Sequence, residues 1–221
     1  KDEYANMPVD VQKDEEKGLY YVQKEKKRLY FRKSTPAKKI QKYYRALSME
    51  QDRRSPHHYF NSVKEVTGKV FVDVGCAEGY SSLEIIEEAK HVYLFEQDEQ
   101  WLEAIRATFE PWQDKVTIVQ KYVSDHNSSR EQTLDDFFNN QTDEHLFLKM
   151  DIEGAERHAL AGCKNLFQNC QKLDFAICTY HLRDDEEVIS AFLNKHNCTY
   201  INQKGFFRHR IRSVVMRGSK K

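Results

Sequence analysis

Val70-Phe71-Val72-Asp73-Val74-Gly75-Cys76-Ala77-Glu78-Gly79-Tyr80 joins an apolar, β-branched run to two glycines. Ser81-Ser82-Leu83-Glu84-Ile85-Ile86 follows at helical spacing. Val70 to Val74 reads as a buried strand, with Asp73 near its end. Strand, glycine turn and helix in that order make a nucleotide-binding βα unit. Gly75 suits a tight turn, and Gly79 is expected to let a ligand approach the backbone with no Cβ in the way.

The spacing separates two ligands. A dinucleotide site prefers Gly-x-Gly-x-x-Gly, with a pyrophosphate at the helix N-terminus. Here Ala77 stands at the second glycine of that pattern, and the turn carries an acid, Glu78. A carboxylate there repels a pyrophosphate and tolerates a cationic, phosphate-free ligand such as S-adenosylmethionine. His91 to Phe95 reads as the next strand and ends at Glu96, about 20 residues past the turn, where an acid accepts ribose hydroxyls. The cofactor-binding candidates are Asp73, Gly75, Cys76, Ala77, Glu78, Gly79, Glu96, Ser124 and Asp151. Tyr122, Val123 and Ser124 are placed to lie against an adenine.

The chain has 221 residues and a formal net charge of zero. That length suits one core with an appended segment. Zero net charge provides no global field for nucleic acid or membrane. The five cysteines lack paired spacing, which argues against a disulfide framework. No apolar run approaches the roughly 18 residues of a membrane span. No signal peptide is visible, although the chain begins at Lys1 without a methionine, and a reducing cytoplasm is the expected compartment.

Residues 1–18 read as a loose polar arm. Leu19 to Gln23 and Arg28 to Arg32 suggest a hairpin. Thr35-Pro36 starts a helix, with Thr35 as its cap, that stops before Pro56. The stretch from Glu50 to His58 is either a solvated linker or a cap over the substrate. After Glu96, Asp98 caps a helix buried through Trp101, Leu102, Ile105 and Phe109. Val116 to Val119 is a third strand, and Thr133 to Phe138 a short capped turn. His145 to Ile152 is the fourth strand, on which Lys149, Asp151 and Glu153 share a parity. One helix is expected from Ala155 to Phe167, then a fifth strand from Leu173 to Tyr180 with His181 at its end. Two late strands, Cys198 to Asn202 and Ser213 to Met216, flank a basic run from Arg208 to Arg212. This alternation implies an α/β fold with a mostly parallel sheet, its last strands forming an antiparallel edge. The division expected is residues 1–62 as arm, hairpin and helical cap, and 63–221 as the cofactor domain.

Lys149-Met150-Asp151-Ile152-Glu153-Gly154-Ala155-Glu156 resembles the Lys-x-Asp-x-Glu-Gly-x-Glu signature of the FkbM family of S-adenosylmethionine-dependent methyltransferases. Thr133-Leu134-Asp135-Asp136, Val123-Ser124-Asp125 and Tyr180-His181 are similar to further segments of that family. The resemblance runs from about Glu50 to Asn202. It implies a Rossmann-like class I methyltransferase fold, seven strands ordered 3-2-1-4-5-7-6, and O-methylation of a sugar, glycan or other small natural product. Cofactor roles carry over to Asp73, Gly75, Gly79 and Glu96. Cys76-Ala77-Glu78 departs from the family's commoner Gly-Ala-Asn-x-Gly turn.

An alcohol nucleophile asks for a general base. His181, Asp151 and His57 are the candidates, in that order. No tight metal-ligand spacing occurs and no metal is assigned, though Asp151, Glu153 and His181 have the chemistry to hold a hard divalent ion. Three rival readings remain. One is a nicotinamide-dependent oxidoreductase, disfavoured by Glu78 and the missing Gly-x-Gly. Another is a binding module without catalysis. The last is a methyltransferase acting on nitrogen or on a protein.

Overall fold

The computed structural model describes residues 2–139, 143–207 and 210–220. The chain opens with α1 (Asp2–Ala5) and an antiparallel sheet in the order β1-β2-β3, formed by Val11–Asp14, Leu19–Lys24 and Lys27–Tyr30. The expected hairpin is β2–β3, closed at the Lys24↔Lys27 pair by Glu25 at φ 55° and Lys26. The expected loose arm is corrected: β1 pairs with β2 from Val11↔Val22 to Asp14↔Leu19. Its Val-Gln-Lys-Asp sequence shows little alternation, so the neighbouring strand rather than propensity makes it a strand.

α2 (Ala37–Glu50) follows. Pro36 occupies the cap position in an extended conformation, with no side-chain cap bond, so Thr35 does not serve as the cap. β4 (Val70–Val74), α3 (Tyr80–Ile85), β5 (His91–Phe95), α4 (Glu99–Phe109) and β6 (Val116–Val119) make the first parallel half. Asp98 caps α4 by accepting from the Gln100 N–H. A small parallel pair, β7 (Tyr122–Val123) and β8 (Glu131–Gln132), precedes α5 (Leu134–Phe137), capped by Thr133.

β9 (Leu146–Met150), α6 (Glu156–Ala161), α7 (Lys164–Asn169), β10 (Leu173–Cys178), α8 (Asp185–Lys195), β11 (Cys198–Phe207) and β12 (Arg210–Lys220) complete the chain. The single helix expected from 155 to 167 is two. Gly162 separates them and lies so close to the Ser124 carbonyl that a Cβ would stand 2.1 Å from its oxygen. The late strands are also longer than expected. They form a hairpin extending past the sheet, whose outer part exposes Phe206 and Ile211 among basic residues and so lacks the buried-face alternation by which a strand is read. Arg208 and His209 of the basic run lie outside the described residues.

Counted within the central sheet alone, the strands run 3-2-1-4-5-7-6, and β12 is antiparallel to both of its neighbours, β10 and β11. The fold is the expected α/β arrangement, with the three-stranded sheet and β7–β8 lying outside that order. β4 and β9 are buried along their whole length. Alternate residues feed two cores, as the strand period of two requires. Val70, Val72, Leu148 and Met150 face Leu160, Phe167 and Ile189. Phe71 and Phe147 face the other way, into a core shared with Leu83, Phe109 and the N-terminal Leu29, Phe31 and Ile40. Among the described residues, no helix is long and apolar enough to cross a membrane.

Candidate active site

The C-terminal ends of β4, β5, β6 and β9 and the segment before residue 62 enclose a cavity of about 960 Å3. In open α/β sheets this is where ligands bind. Gly75, Cys76, Ala77, Glu78, Glu96 and Ser124 border it from the sheet side, and Arg32, Tyr43, Leu47, Glu50 and Tyr59 from the N-terminal side.

Gly75 sits at φ 79°, and a Cβ there would stand 2.1 Å from the Asp151 carbonyl oxygen. The glycine therefore lets the turn close against the end of β9. Gly79, at φ 81°, begins α3, and its missing Cβ faces the Phe109 ring at 2.7 Å. The space it frees is filled by α4, and Gly79 does not border the cavity, which corrects the expected reason for that glycine. Ala77 takes φ 47°, and its N–H donates to Glu96 Oε2 at 3.0 Å. Glu96 Oε1 accepts the Asp98 N–H at 2.8 Å. The acid at the end of the second strand thus braces the turn while bordering the cavity.

Glu78 is buried, and the Tyr43 hydroxyl donates to it at 2.7 Å. Burial pushes its carboxyl above the usual carboxylate range, against the Tyr43 bond that favours the charged form. Cys76 is buried and its thiol is pushed well up by the same cause, which makes it unreactive. A turn whose free N–H is already given to a carboxylate, with a second carboxylate beneath it, does not suit a pyrophosphate. It suits a cationic ligand.

Asp73 and Lys149 face each other across β4 and β9 and form a buried ion pair at 2.7 Å. Lys149 also donates to the Gly75 carbonyl at 2.7 Å, and Ser82 donates to Asp73 at 2.6 Å. Burial lowers the Lys149 pKa, but Asp73 and Asp151 more than offset this and hold the amine charged. Asp73 is therefore engaged inside the protein, anchoring Lys149 and α3, although it borders the cavity.

Asp151 follows β9 and borders the cavity with Tyr59 and Tyr180. The Tyr59 hydroxyl donates to Asp151 Oδ2 at 2.7 Å, and Tyr180 donates to Oδ1 at 3.3 Å. Burial raises the Asp151 pKa, but Lys149, Tyr59 and the two histidines outweigh burial and leave it lowered, hence ionised. His181 lies behind Asp151, with Nε2 3.5 Å from Oδ1. Burial pulls its pKa down, but Glu156, Asp151 and Glu153 raise it overall. The His57 ring lies 4.6 Å from that of Tyr180, tilted by 54°, and burial lowers its pKa. Neither histidine borders the cavity, whereas Asp151 does. Glu153 departs from the expected parity: β9 ends at Met150, Glu153 takes φ 57°, and its side chain is 92% exposed.

Tyr43, Glu50, Tyr59 and Glu156 were not marked by the sequence reading. Glu156 had a signal, as the last acid of the Lys149–Glu156 segment. Glu50 opens the stretch read as either a linker or a cap over the substrate, and its place on the cavity favours the cap; the tyrosines had no signal, because they reach the cavity only when the N-terminal segment folds over the sheet.

Comparison with known proteins adds the following. The family model described as Methyltransferase FkbM domain matches residues 74–201. The fold is similar to that of methyltransferase FkbM from Methylobacillus flagellatus, with a TM-score of 0.55 and 20% identity. That match covers 68% of this chain and 43% of the other, so the chain spans less than half the length of that protein. It is also similar to SMU.1697c from Streptococcus mutans in complex with SAH (TM-score 0.53, 15% identity, covering 72% and 93%). Magnesium protoporphyrin IX methyltransferase from Synechocystis with bound SAM is similar too (TM-score 0.53, 13% identity, covering 85% and 86%). No curated protein matches.

Proposed function

Because the chain belongs to the FkbM methyltransferase family, we propose that it transfers a methyl group to a hydroxyl of a sugar, glycan or other small natural product. The donor is S-adenosylmethionine, which when bound supplies an electrophilic methyl on a positively charged sulfur. Gly75, Cys76, Ala77, Glu96 and Ser124 are the residues to hold it, with Glu96 accepting from the ribose hydroxyls.

The observation that supports a hydroxyl acceptor is the polar wall of Tyr59, Asp151 and Tyr180 beside the glycine turn. Two phenols and an ionised carboxylate match a neutral polyol. At about 960 Å3 the cavity is at the upper end of small-molecule sites, with room for donor and acceptor together. Asp151 aligns the acceptor O–H, and the proton lost as the C–O bond forms is held by Asp151 and His181. The two lie 3.5 Å apart, Oδ1 to Nε2, so each charge acts on the other. His57 is the alternative proton holder, its pKa lowered by burial and its ring packed against Tyr180. Positioning supplies much of the remaining rate.

A nitrogen acceptor is the second reading. Glu50, Asp151 and Glu153 all border the cavity, and burial and the neighbouring acids push Glu50 up to about 7. Such an acidic wall would hold an ammonium group. Incubation with labelled donor and panels of sugars, glycan fragments and amines tests both. A methyl ether identified by NMR is expected. An N-methyl product, or label on protein alone, removes the hydroxyl reading.

A further inference from the structure

Behind Asp151 lies a group of side chains that methyl transfer leaves largely unexplained. Glu156 begins α6 and is 0% exposed. Its Oε1 accepts the Ile152 N–H at 2.8 Å, and its Oε2 has no hydrogen-bond partner. A buried carboxylate oxygen left unmet is costly. The His181 side chain is 9% exposed, with Nδ1 3.0 Å from Glu156 Oε1 and Nε2 3.5 Å from Asp151 Oδ1. Neither ring nitrogen is in a hydrogen bond. One ligand atom each from Asp151, Glu156 and His181 falls within 4.8 Å of the others. Glu153 Oε2 reaches to 3.6 Å from Nε2.

We propose that Asp151, Glu156 and His181 form a binding site for one divalent first-row transition-metal ion. Two carboxylates outweigh one imidazole in charge, and the nearby Lys149 is already paired with Asp73 at 2.7 Å. An ion answers the orphaned Glu156 oxygen and one orphaned ring nitrogen together. The other ring nitrogen then faces a carboxylate, the usual arrangement that fixes a ligating imidazole. One imidazole with two carboxylates favours Mn2+ or Zn2+ over Mg2+, which prefers oxygen donors in a strict octahedron. The sequence alone suggests Glu153 as the second acid; burial assigns that place to Glu156. Asp151 borders the cavity, so an ion bound behind it would fix that carboxylate in place beside the acceptor hydroxyl. That last use rests on the methyltransferase reading, but ion binding itself does not.

The test is calorimetry on chelator-stripped protein with MnCl2, ZnCl2 and MgCl2, with S-adenosylhomocysteine titrated in parallel. One equivalent of Mn2+ or Zn2+ is expected, with Mg2+ weaker by about tenfold or more. Glu156→Gln and His181→Asn should each weaken the ion by about tenfold or more while keeping S-adenosylhomocysteine binding. Should Glu156→Gln fail to fold, His181→Asn decides. Wild-type protein that binds S-adenosylhomocysteine but no transition metal overturns the site, as does unchanged metal affinity in folded His181→Asn. Metal binding without S-adenosylhomocysteine binding would keep the site and remove the donor assignment instead.

Discussion

Replacing Gly75 by alanine tests the contact between the turn and β9, and Gly68 provides the control. Both glycines have positive φ, 79° and 72°. A Cβ on Gly68 meets nothing within 4 Å, whereas one on Gly75 meets the Asp151 oxygen at 2.1 Å and Ile152 Cγ2 at 2.6 Å. The left-handed backbone alone costs an alanine about 1–2 kcal/mol. Overlap with a backbone carbonyl cannot be relieved by a rotamer change, and forced overpacking adds about 1–3 kcal/mol. Gly68→Ala should therefore cost about 1–2 kcal/mol, and Gly75→Ala about 2–5 kcal/mol. At this chain length each kcal/mol lowers the melting midpoint by about 2–4 °C. Thermal unfolding of the two variants beside wild type measures the difference. Relief of the overlap must also push Asp151 away from the turn, so Gly75→Ala alone should lose about tenfold in S-adenosylhomocysteine affinity, some 1.4 kcal/mol. Two variants that melt within about 2 °C of each other and bind S-adenosylhomocysteine equally would refute the reasoning.

Lys149→Ala leaves Asp73 buried without its cation and should cost about 3–5 kcal/mol in urea unfolding; Asp73→Asn combined with Lys149→Met should recover part of that loss. Tyr59→Phe removes one donor from the ionised Asp151 and should lower kcat/KM by about tenfold or more, given the usual worth of a hydrogen bond to a charge, with S-adenosylhomocysteine affinity kept. His181 has a folded-state pKa above its ordinary value. Its stabilisation is therefore complete below about pH 6.5 and fades as pH rises through the folded value. The melting-temperature gap between wild type and His181→Asn should shrink between about pH 6 and pH 9, and a widening gap would contradict the placement of the three carboxylates around it. Methyl transfer should rise over the same range as the Asp151–His181 pair gives up its proton, and a rate that falls there would remove the pair as base.

The strand–turn–helix from Val70 to Ile85 was legible because its determinants are local: β-branched residues, two glycines and a helical apolar spacing. Glu96 was legible through its distance from the turn, and Asp151 through its place at the end of a buried strand. What stayed hidden depends on segments far apart in the chain. β1 exists because β2 lies beside it. The break at Gly162 comes from its contact with the Ser124 backbone. Tyr59 meets Asp151 across 92 residues of chain, and Tyr43 meets Glu78 across 35. The purpose of Gly79 was misread because positive φ shows that glycine is needed without showing which neighbour occupies the freed space. The order of the three base candidates rested on residue type and on which strand ends reach the ligand rim. Burial and charge separate them, lowering the pKa of His57, raising that of His181, and leaving Asp151 alone of the three on the cavity.

The chamber has two separately encoded halves. Its floor is built from the ends of buried strands, where Asp73, Glu96, Lys149 and Asp151 are each held by a partner. Its roof, carrying Tyr43, Glu50 and Tyr59, comes from the first 62 residues and is bonded to the floor at Glu78 and Asp151. That roof is packed into the sheet's own core through Leu29, Phe31 and Ile40, so it cannot be swapped whole without disturbing what lies beneath. Acceptor preference should therefore shift most readily through single changes at positions such as Glu50 that border the chamber, and new preferences should be sought in the front of the chain.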